Sequence, residues 1–379
     1  MALYVCLMLG TILCGNILGS NSSTNIDINN KKGKTLPNLI FLILWAMLAF
    51  KASSIGSDTE SYIRVFQEAV SWRYSHPFAF GGKLFTNDSR YETGYVVLNR
   101  ILACFTNDPQ WLFIVTATFF IFVCRKFVYE KSKDVCFSIF LFIALRLFYF
   151  SMSGIRQAIA MFICLIAYRY IEKRKLVPFI VCVLLAMQFH ITAIVFFLAY
   201  PISFLKFNKF NCLVLSALGI VVFFSFDAIL TEVLGYVSDY YSHYTSTKRF
   251  SEGNIGNILV AVIQLLFLLL SLLSTYGSNE KNKYTKSFDE PAFMKYMMLV
   301  SILLSVVSIR ATTLDRLYYY FWIFAIIYAP NVISNITTKD LQRLVIKSLV
   351  IVFTMAYNMT LLYYRPEWFN ITPYKFFWN

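Results

Sequence analysis

Chemically reactive side chains are scarce in this sequence. Among its 379 residues there are only three histidines and 20 acidic residues, and charged residues make up 14%. The eight cysteines lie within apolar runs and form no C-x-x-C pair, which argues against a zinc ribbon or a redox motif. HExxH, GxSxG and P-loop motifs are missing as well, so these signatures of metalloproteases, serine hydrolases and nucleotide-binding enzymes are excluded. We therefore expect neither a bound metal nor a cofactor.

Long apolar segments dominate the sequence instead. Hydrophobic residues make up 58% of the chain, and the mean hydropathy is +0.62. Apolar stretches long enough to cross about 30 Å of hydrocarbon recur from end to end. The sequence thus predicts an all-α, polytopic integral membrane protein, organised as a single transmembrane domain over residues 1–379. Residues 1–19 lack a positively charged start, so they are interpreted as a retained first helix rather than a signal peptide.

The charge pattern and the apolar runs together predict about twelve transmembrane helices. The short segment 93–106 is predicted to be re-entrant or interfacial, because a full crossing there would move the positive charges of residues 125–133 to the outer side. Two longer segments, about 54–92 and 228–254, are predicted to be periplasmic loops. The predicted spans are 2–20, 36–53, 110–129, 135–151, 155–171, 176–189, 191–206, 211–227, 255–275, 294–309, 317–334 and 344–363.

Lysines and arginines separate onto opposite sides of this predicted topology. Positive charge is favoured on the cytoplasmic side, and 16 of the 20 lysines fall there, which accounts for much of the net charge of +14 without a nucleic-acid partner. Ten of the 14 arginines lie on or near the other face. Because arginine binds phosphate in a bidentate manner, this pattern indicates an anionic substrate handled outside the cytoplasm. The outer arginines are Arg64, Arg73, Arg90, Arg100, Arg146, Arg156, Arg249, Arg310, Arg316 and Arg365.

One short segment, residues 151–157, has the features of an anion site. Ser153 is suited to be an N-cap, which puts Arg156 in the first turn of the following helix. Free N–H groups and the helix dipole already favour an anion at that point. Arg146 lies about one and a half turns before the same turn. In the alternative interpretation, both arginines reach out to lipid headgroups.

Three further residues are candidates for a proton acceptor. Asp58 precedes a segment with apolar residues spaced as on one helix face, and Glu92 lies where the chain approaches the membrane. His190 lies at the hinge between two apolar segments. Each also has a structural interpretation: a helix N-cap for Asp58, a helix-dipole contact for Glu92 and a buried side chain for His190. The predicted apolar face consists of Tyr62, Val65, Phe66, Ala69 and Val70.

Aromatic residues cluster in two places near the predicted outer face. Arg310 and Arg316 precede three consecutive tyrosines at 318–320, a pattern typical of an interfacial aromatic belt. Tyrosine rings also stack on sugars, so the two interpretations are compatible. Residues 366–378 form an aromatic tail that is a candidate for ordered structure.

Taken in order, these motifs resemble the EpsG-like group of Wzy-type polysaccharide polymerases. The resemblance extends over most of the chain, and its strongest part is the Arg-Gln-x-x-Ala helix start followed about 33 residues later by Phe-His-x-Thr-Ala. One departure is Thr93, where the family pattern has a proline. The matching motifs are Gly56-x-Asp58-x-x-x-Tyr62, Glu92-x-Gly94-Tyr95, Arg156-Gln157-x-Ile159-Ala160, Phe189-His190-x-Thr192-Ala193 and Arg316-x-x-Tyr319.

The resemblance implies a metal-independent glycosyltransferase of the bacterial inner membrane, which polymerises repeat units of O-antigen (lipopolysaccharide) or capsule. It would move a growing glycan from undecaprenyl pyrophosphate onto another lipid-linked unit at the periplasmic face. The implied partners are that undecaprenyl-pyrophosphate-linked oligosaccharide, the lipid bilayer and, as a further candidate, a chain-length regulator protein. The implied roles are Glu92, Asp58 and His190 as candidate catalytic bases, Arg156, Gln157, Arg146, Arg310 and Arg316 as pyrophosphate ligands, and Tyr62, Tyr95 and Tyr319 as sugar contacts.

Two other functions compete with a polymerase. A flippase for the same lipid-linked oligosaccharide should carry charges near the middle of the bilayer and show two related halves, whereas here the charges gather at one face and no internal repeat is visible. A membrane acyltransferase would need a deep histidine with a polar partner, and His190 is the candidate for that role.

Overall fold

The computed structural model describes residues 1–20, 31–75, 91–225, 255–274, 288–309, 314–336 and 340–378. Within these ranges the regular elements are helices, and the only extended pairing is an isolated bridge between Lys51 and Phe376. The all-α class predicted from the sequence is confirmed for this part of the chain. The predicted loop 228–254 and Arg310 lie outside the described residues, as do residues 76–90 of the other predicted loop.

In the described ranges, 3₁₀ segments lie at Ile191–Leu198, Ser271–Leu273 and Pro366–Trp368. The α-helices are numbered in chain order. They are α1 (Ala2–Ser20), α2 (Lys31–Ala49), α3 (Thr59–Ser75), α4 (Thr93–Ala103), α5 (Gln110–Lys131), α6 (Val135–Ala144), α7 (Leu147–Ser153), α8 (Ile155–Glu172), α9 (Leu176–Met187), α10 (Ala199–Ile202), α11 (Lys209–Phe224), α12 (Ile255–Leu270), α13 (Glu290–Val307), α14 (Asp315–Trp322), α15 (Ala325–Ser334) and α16 (Asp340–Tyr364).

Several helices have the length and composition of membrane spans. Among the described residues, α5, α13 and α16 qualify individually, and the number rises to five if the bent pairs α6–α7 and α14–α15 each form one span. Six further apolar helices have 10–17 residues. A membrane protein is therefore supported, but the predicted count of about twelve spans is not confirmed. The predicted span 155–171 corresponds to α8, which carries Arg156, Arg169 and Glu172.

The chain divides into two compact units. The first comprises Met1–Ala167, Val181–Ala193 and Thr338–Asn379. Its helix pairs are α1 on α6, α2 on α5, α3 on α4 and α16 on α6. Polar contacts join α2 to α5, because Trp45 donates to Thr118 and Arg125 donates to Asn38, at 3.0 and 2.9 Å. Such side-chain hydrogen bonds hold neighbouring helices together in an apolar environment.

Helix α3 has the amphipathic pattern predicted from the sequence. Tyr62, Val65, Phe66 and Ala69 are buried, and Val70 is half-buried. The helix follows Asp58 directly and packs on α4. This part of the prediction is confirmed, because residues spaced three and four apart share one helix face.

Two of the predicted outer arginines attach α3 to α4 and to the turn after it. The Arg73 guanidinium donates to the backbone carbonyl of Ala103 and, at 2.8 Å, to Asn107. The Arg100 guanidinium lies 4.3 Å from the centre of the Trp72 ring. These contacts give Arg73 and Arg100 a structural role, so the arginines of the predicted outer face do not all belong to a binding site.

The predicted span 135–151 is broken into two helices that meet at an angle of 54°. The break lies at Arg146, which separates α6 from α7 and has a φ of 66°. A non-glycine residue in this left-handed region carries backbone strain, which the surrounding packing must hold in place. The bend therefore originates at a charged residue.

The second unit comprises Tyr168–Ile180 and Ile194–Thr337. Helix α13 is its centre, with α11, α12 and α14 packed against it. Asn257 donates to the backbone carbonyl of Ser308 at 3.1 Å, and Ser305 donates to Gln264 at 2.8 Å, so polar contacts again join apolar helices.

Residues 369–377 form an ordered segment that crosses residues 50–56 of the first unit. The backbone N–H groups of Ala52 and Gly56 donate to the carbonyls of Lys375 and Asn370, at 3.0 and 2.9 Å. The Tyr4 hydroxyl donates to the carbonyl of Ile371 at 2.9 Å. The prediction of an ordered aromatic tail is confirmed, and we call residues 369–377 the C-terminal segment.

Candidate functional site

An ion pair between Glu92 and Arg156 lies at the centre of the candidate site. Glu92 immediately precedes α4, and Arg156 is the second residue of α8, in its first turn as predicted. Arg156 Nη1 lies 2.5 Å from Glu92 Oε2, and each side chain is about a fifth exposed. The two residues come from motifs 64 positions apart in sequence. The structure thus joins a predicted base directly to a predicted pyrophosphate ligand.

The turn that carries Glu92 packs against the turn that carries His190. The Gly94 N–H donates to the carbonyl of Gln188 at 2.8 Å, and Glu92 Oε1 accepts a hydrogen bond from the Ile191 N–H at 3.2 Å. A Cβ atom on Gly94 would lie 2.7 Å from Gln188, closer than packed carbon atoms approach. Only glycine fits this close contact, which explains the glycine at position 94.

His190 is buried beside this turn, with 7% of its surface exposed. Its Nδ1 lies 2.6 Å from the Thr192 hydroxyl and 3.4 Å from the Thr192 N–H. A backbone N–H can only donate, so this contact favours Nδ1 as the acceptor and places the imidazole proton on Nε2. In that tautomer Nε2–H is the donor, and the Nδ1 lone pair is engaged by Thr192.

Three tyrosines surround the Arg156 guanidinium. Its central carbon lies 4.9 Å from the centre of the Tyr91 ring, and Tyr62 and Tyr95 are within electrostatic range. The Tyr95 and Tyr62 rings meet edge to face at 5.6 Å. The Tyr95 hydroxyl is buried and has no hydrogen-bond partner among the described residues. This cluster brings the predicted sugar contacts Tyr62 and Tyr95 to the predicted pyrophosphate ligand.

The Gly56-Ser57-Asp58 turn packs against the junction between α7 and α8. Gly56 has a φ of 95°, and a Cβ atom there would lie 2.5 Å from the Met152 carbonyl oxygen. The Ser57 N–H donates to Ser153 Oγ at 3.2 Å, and the two hydroxyl oxygens lie 2.5 Å apart. Ser153 belongs to α7 and α8 begins at Ile155, so the prediction of Ser153 as the N-cap of α8 is wrong. Its hydroxyl fixes the Asp58 turn instead.

Asp58 is half-buried at the start of α3. Among the described residues, no side chain or backbone group forms a hydrogen bond or ion pair with its carboxylate. The Tyr62 N–H donates to the Asp58 carbonyl at 3.1 Å, so the two residues lie one helical turn apart. Tyr62, one turn further along α3, therefore links Asp58 to the tyrosines near Arg156. The preceding residue, Ser57, links Asp58 to Ser153 at the end of α7.

Lys51 is a buried cation that the sequence interpretation did not identify. Its exposed fraction is 1%, and Nζ donates to three oxygen atoms of the protein. Lys51 lies two residues beyond the end of α2, and the predicted topology puts it on the outer side, where lysine is rare. That exception to the charge pattern was the signal available in the sequence.

Arg146, another predicted pyrophosphate ligand, has a different environment from Arg156. It is 3% exposed, and its guanidinium carbon lies 4.9 Å from the Phe369 ring and 5.7 Å from the Trp368 ring. Its Nε and Nη1 atoms have no hydrogen-bond partner among the described residues. Gln157, the residue next to Arg156, is also buried. The structure does not show a direct contact between Arg146 and the Glu92–Arg156 pair.

The predicted site residues Arg316 and Tyr319 belong to the second unit. Arg316 is exposed at the start of α14, and Tyr319 is buried with its ring 4.6 Å from that of Tyr318. Their roles remain predictions. Among the described residues, no group of three His, Cys, Asp or Glu side chains is arranged to hold a metal ion. The groups gathered in the first unit are cations, carboxylates and phenols.

A comparison with protein-family models matches residues 34–376 to the EpsG family. The chain belongs to the EpsG family. The match covers all five motifs, including the four that the first unit brings together. Membership of the EpsG family suggests a polymerase-like glycosyltransferase and, with the apolar helices, a membrane protein. Searches of curated proteins and of solved structures found no match.

Proposed function

We propose that this EpsG-family protein polymerises lipid-linked oligosaccharide repeat units at the outer face of the bacterial inner membrane. The observation that carries the proposal is the Glu92–Arg156 pair, at 2.5 Å, within a cluster built from four of the five family motifs. A guanidinium at a helix N-terminus beside tyrosine rings suits a substrate that joins a diphosphate to a sugar. The substrate is an oligosaccharide linked to undecaprenyl pyrophosphate.

Arg156 binds the diphosphate of the donor in this proposal. A helix N-terminus offers free N–H groups and a positive dipole end, and Arg156 adds a permanent charge to the same turn. Glu92 Oε2 holds the guanidinium in place before the substrate arrives. Glu92 Oε1 accepts a hydrogen bond from the Ile191 N–H, which fixes the carboxylate itself. Such a preorganised donor stabilises the charge that develops on the leaving diphosphate.

The transfer forms one bond and breaks one bond. The acceptor sugar hydroxyl attacks the anomeric carbon of the donor glycan, and the bond from that carbon to the diphosphate oxygen breaks. The bonding electrons leave with undecaprenyl pyrophosphate. The hydroxyl proton passes to a base, and we assign that role to Asp58. Both oxygens of Glu92 are engaged, and the contact of Thr192 with Nδ1 favours His190 as a donor.

The glycan phenotype of a deletion strain tests this proposal. Loss of a polymerase leaves lipid anchors that bear a single repeat unit, and the wild-type chain restores the ladder of longer polymers. Anchors without any repeat unit would instead indicate a flippase, and full-length chains that lack a substituent would indicate an acyltransferase. Mass spectrometry of the isolated glycolipid distinguishes these three results, and either of the last two contradicts the proposal.

A further inference from the structure

Lys51 connects three segments of the first unit through one buried ammonium group. Nζ donates to the Ile55 carbonyl at 2.9 Å, to the Thr59 hydroxyl at 2.5 Å and to the Met152 carbonyl at 2.7 Å. It also lies 4.6 Å from the centre of the Phe113 ring. An ammonium group has three N–H donors, and here each has an acceptor. A buried cation with this many contacts fixes the positions of its neighbours.

Two of the three acceptors of Lys51 are backbone carbonyls that receive no backbone N–H. The Met152 carbonyl lies in the last turn of α7, where helix carbonyls lack their usual N–H partners. The Ile55 carbonyl belongs to the turn before α3 and also accepts from the Thr59 hydroxyl at 2.5 Å. An unpaired carbonyl is unfavourable in an apolar environment, and a cation at a helix C-terminus is favoured by the dipole.

Two of the Lys51 acceptors, Ile55 and Thr59, flank the Asp58 turn in the sequence. Gly56 approaches Met152 so closely that a Cβ atom would lie 2.5 Å from its carbonyl oxygen and 3.2 Å from Lys51 Nζ. Lys51 therefore sets the distance between the Asp58 turn and the end of α7, and Arg156 follows that helix by three residues.

We propose that Lys51 is a positioning residue that aligns Asp58 with Arg156 for glycosyl transfer. The proposal rests on the proposed function, because it concerns the same site. All three Nζ donors of Lys51 are engaged by oxygens of the protein, so Lys51 acts on the site through its neighbours. It acts through the Ser57–Ser153 contact, which joins the Asp58 turn to the end of α7, three residues before Arg156. Lys51→Met keeps the length of the side chain and removes both the charge and the donors.

Disulfide trapping measures the alignment without any substrate. The Ser57 and Ser153 hydroxyl oxygens lie 2.5 Å apart, so the double variant Ser57→Cys, Ser153→Cys should cross-link readily under mild oxidation. The full-length protein in lipid nanodiscs is oxidised, and the linked peptide is quantified by mass spectrometry. We expect Lys51→Met to slow the cross-linking at least tenfold. Lys375→Met, at an exposed lysine of the C-terminal segment, is the control and should leave the rate unchanged.

The kinetic experiment uses the single Lys51→Met variant in vesicles that contain the lipid-linked repeat unit. We expect kcat to fall about tenfold, KM to stay within twofold and the midpoint of thermal unfolding to stay within a few degrees. A lower unfolding midpoint with wild-type kcat for the folded fraction would show a merely structural role and overturn the proposal. An unchanged cross-linking rate would overturn it as well.

A second substitution covers the case in which Lys51→Met does not fold. Thr59→Val removes one acceptor of Lys51 with little change of shape, and we expect it to slow the cross-linking about threefold. If this rate is unchanged, Lys51 does not position the turn. Failure of the wild-type protein to polymerise would count against the proposed function alone, since the cross-linking rates are measured without substrate.

Discussion

Arg156 Nη1 lies 2.5 Å from Glu92 Oε2, and this contact connects two motifs that are 64 residues apart in sequence. A hydrogen bond from the Gly94 N–H to the Gln188 carbonyl also joins the Glu92 turn to the His190 turn. The site is therefore a set of turns held together by specific backbone contacts. Each of these contacts suggests a substitution with a matched control.

Arg156→Lys should lower the rate of polymerisation about 100-fold, because a lysine keeps the charge but loses the bidentate geometry and the aligned donors that stabilise a leaving diphosphate. Glu92→Gln should lower it about tenfold, because the guanidinium is then held less firmly. The measurement is the initial rate of polymer formation in membranes with equal amounts of the protein.

Asp134→Asn is the control for both substitutions. Asp134 and Lys347 form an ion pair of 2.6 Å in the same unit, with 29% of each side chain exposed. Asparagine also preserves the Asp134 cap of α6, which accepts from the Phe137 N–H. We expect this variant to polymerise within twofold of the wild-type rate. Equal losses in Glu92→Gln and Asp134→Asn would count against a specific role for the Glu92–Arg156 pair.

Asp58→Asn should lower kcat by about 100-fold or more and leave KM nearly unchanged, because an amide cannot accept the proton of the attacking hydroxyl. The kinetics are measured with purified protein and the lipid-linked repeat unit. Asp108→Asn is the control, since Asp108 accepts from the Gln110 N–H at the start of α5 and asparagine preserves this contact. A wild-type kcat in Asp58→Asn would remove Asp58 from the mechanism.

Gly94→Ala should destabilise the protein by about 1–3 kcal/mol, because the new Cβ atom would lie 2.7 Å from Gln188 and force the two turns apart. Polymerisation should fall with it, since the same turns position Glu92. Gly10→Ala in α1 meets no atom within 4 Å, and should stabilise the protein by about 0.5–1 kcal/mol. Thermal unfolding in detergent compares the two variants, and equal unfolding midpoints would contradict the packing described here.

His190→Asn should retain more activity than His190→Ala. The Thr192 hydroxyl oxygen lies 2.6 Å from Nδ1 of His190. The side-chain oxygen of an asparagine can replace Nδ1 as the acceptor of this hydrogen bond. If His190 were the base instead, both variants would lose activity to the same extent. Polymer length and amount in complemented cells provide the comparison, with protein levels matched by immunoblot.

Local patterns in the sequence predicted the parts of the fold that depend on neighbouring residues. The apolar face of α3 and the position of Arg156 in a first helical turn follow from residue spacing, and both are confirmed. The ion pair between Glu92 and Arg156 could not be predicted, because it depends on how distant segments pack. The motifs alone predict a base at Glu92 and a pyrophosphate ligand at Arg156, with no contact between them.

Two other features also depend on packing between distant segments. Lys51 looked like the end of an apolar span, and its acceptors include a carbonyl 101 residues away. The break at Arg146 contains neither the proline nor the glycine that commonly marks a helix kink, so the sequence suggested a continuous span. Ser153 was interpreted as a helix cap because serine favours that position, whereas its hydroxyl contacts Ser57.

Binding of undecaprenyl pyrophosphate tests the central claim most directly. Native mass spectrometry of the full chain in detergent measures the affinity for this lipid, for the wild type and for Arg156→Ala and Asp134→Asn. We expect Arg156→Ala to weaken binding at least 30-fold, while Asp134→Asn binds like the wild type. If Arg156→Ala binds the lipid diphosphate as tightly as the wild type, Arg156 is not its ligand and the proposed mechanism is wrong.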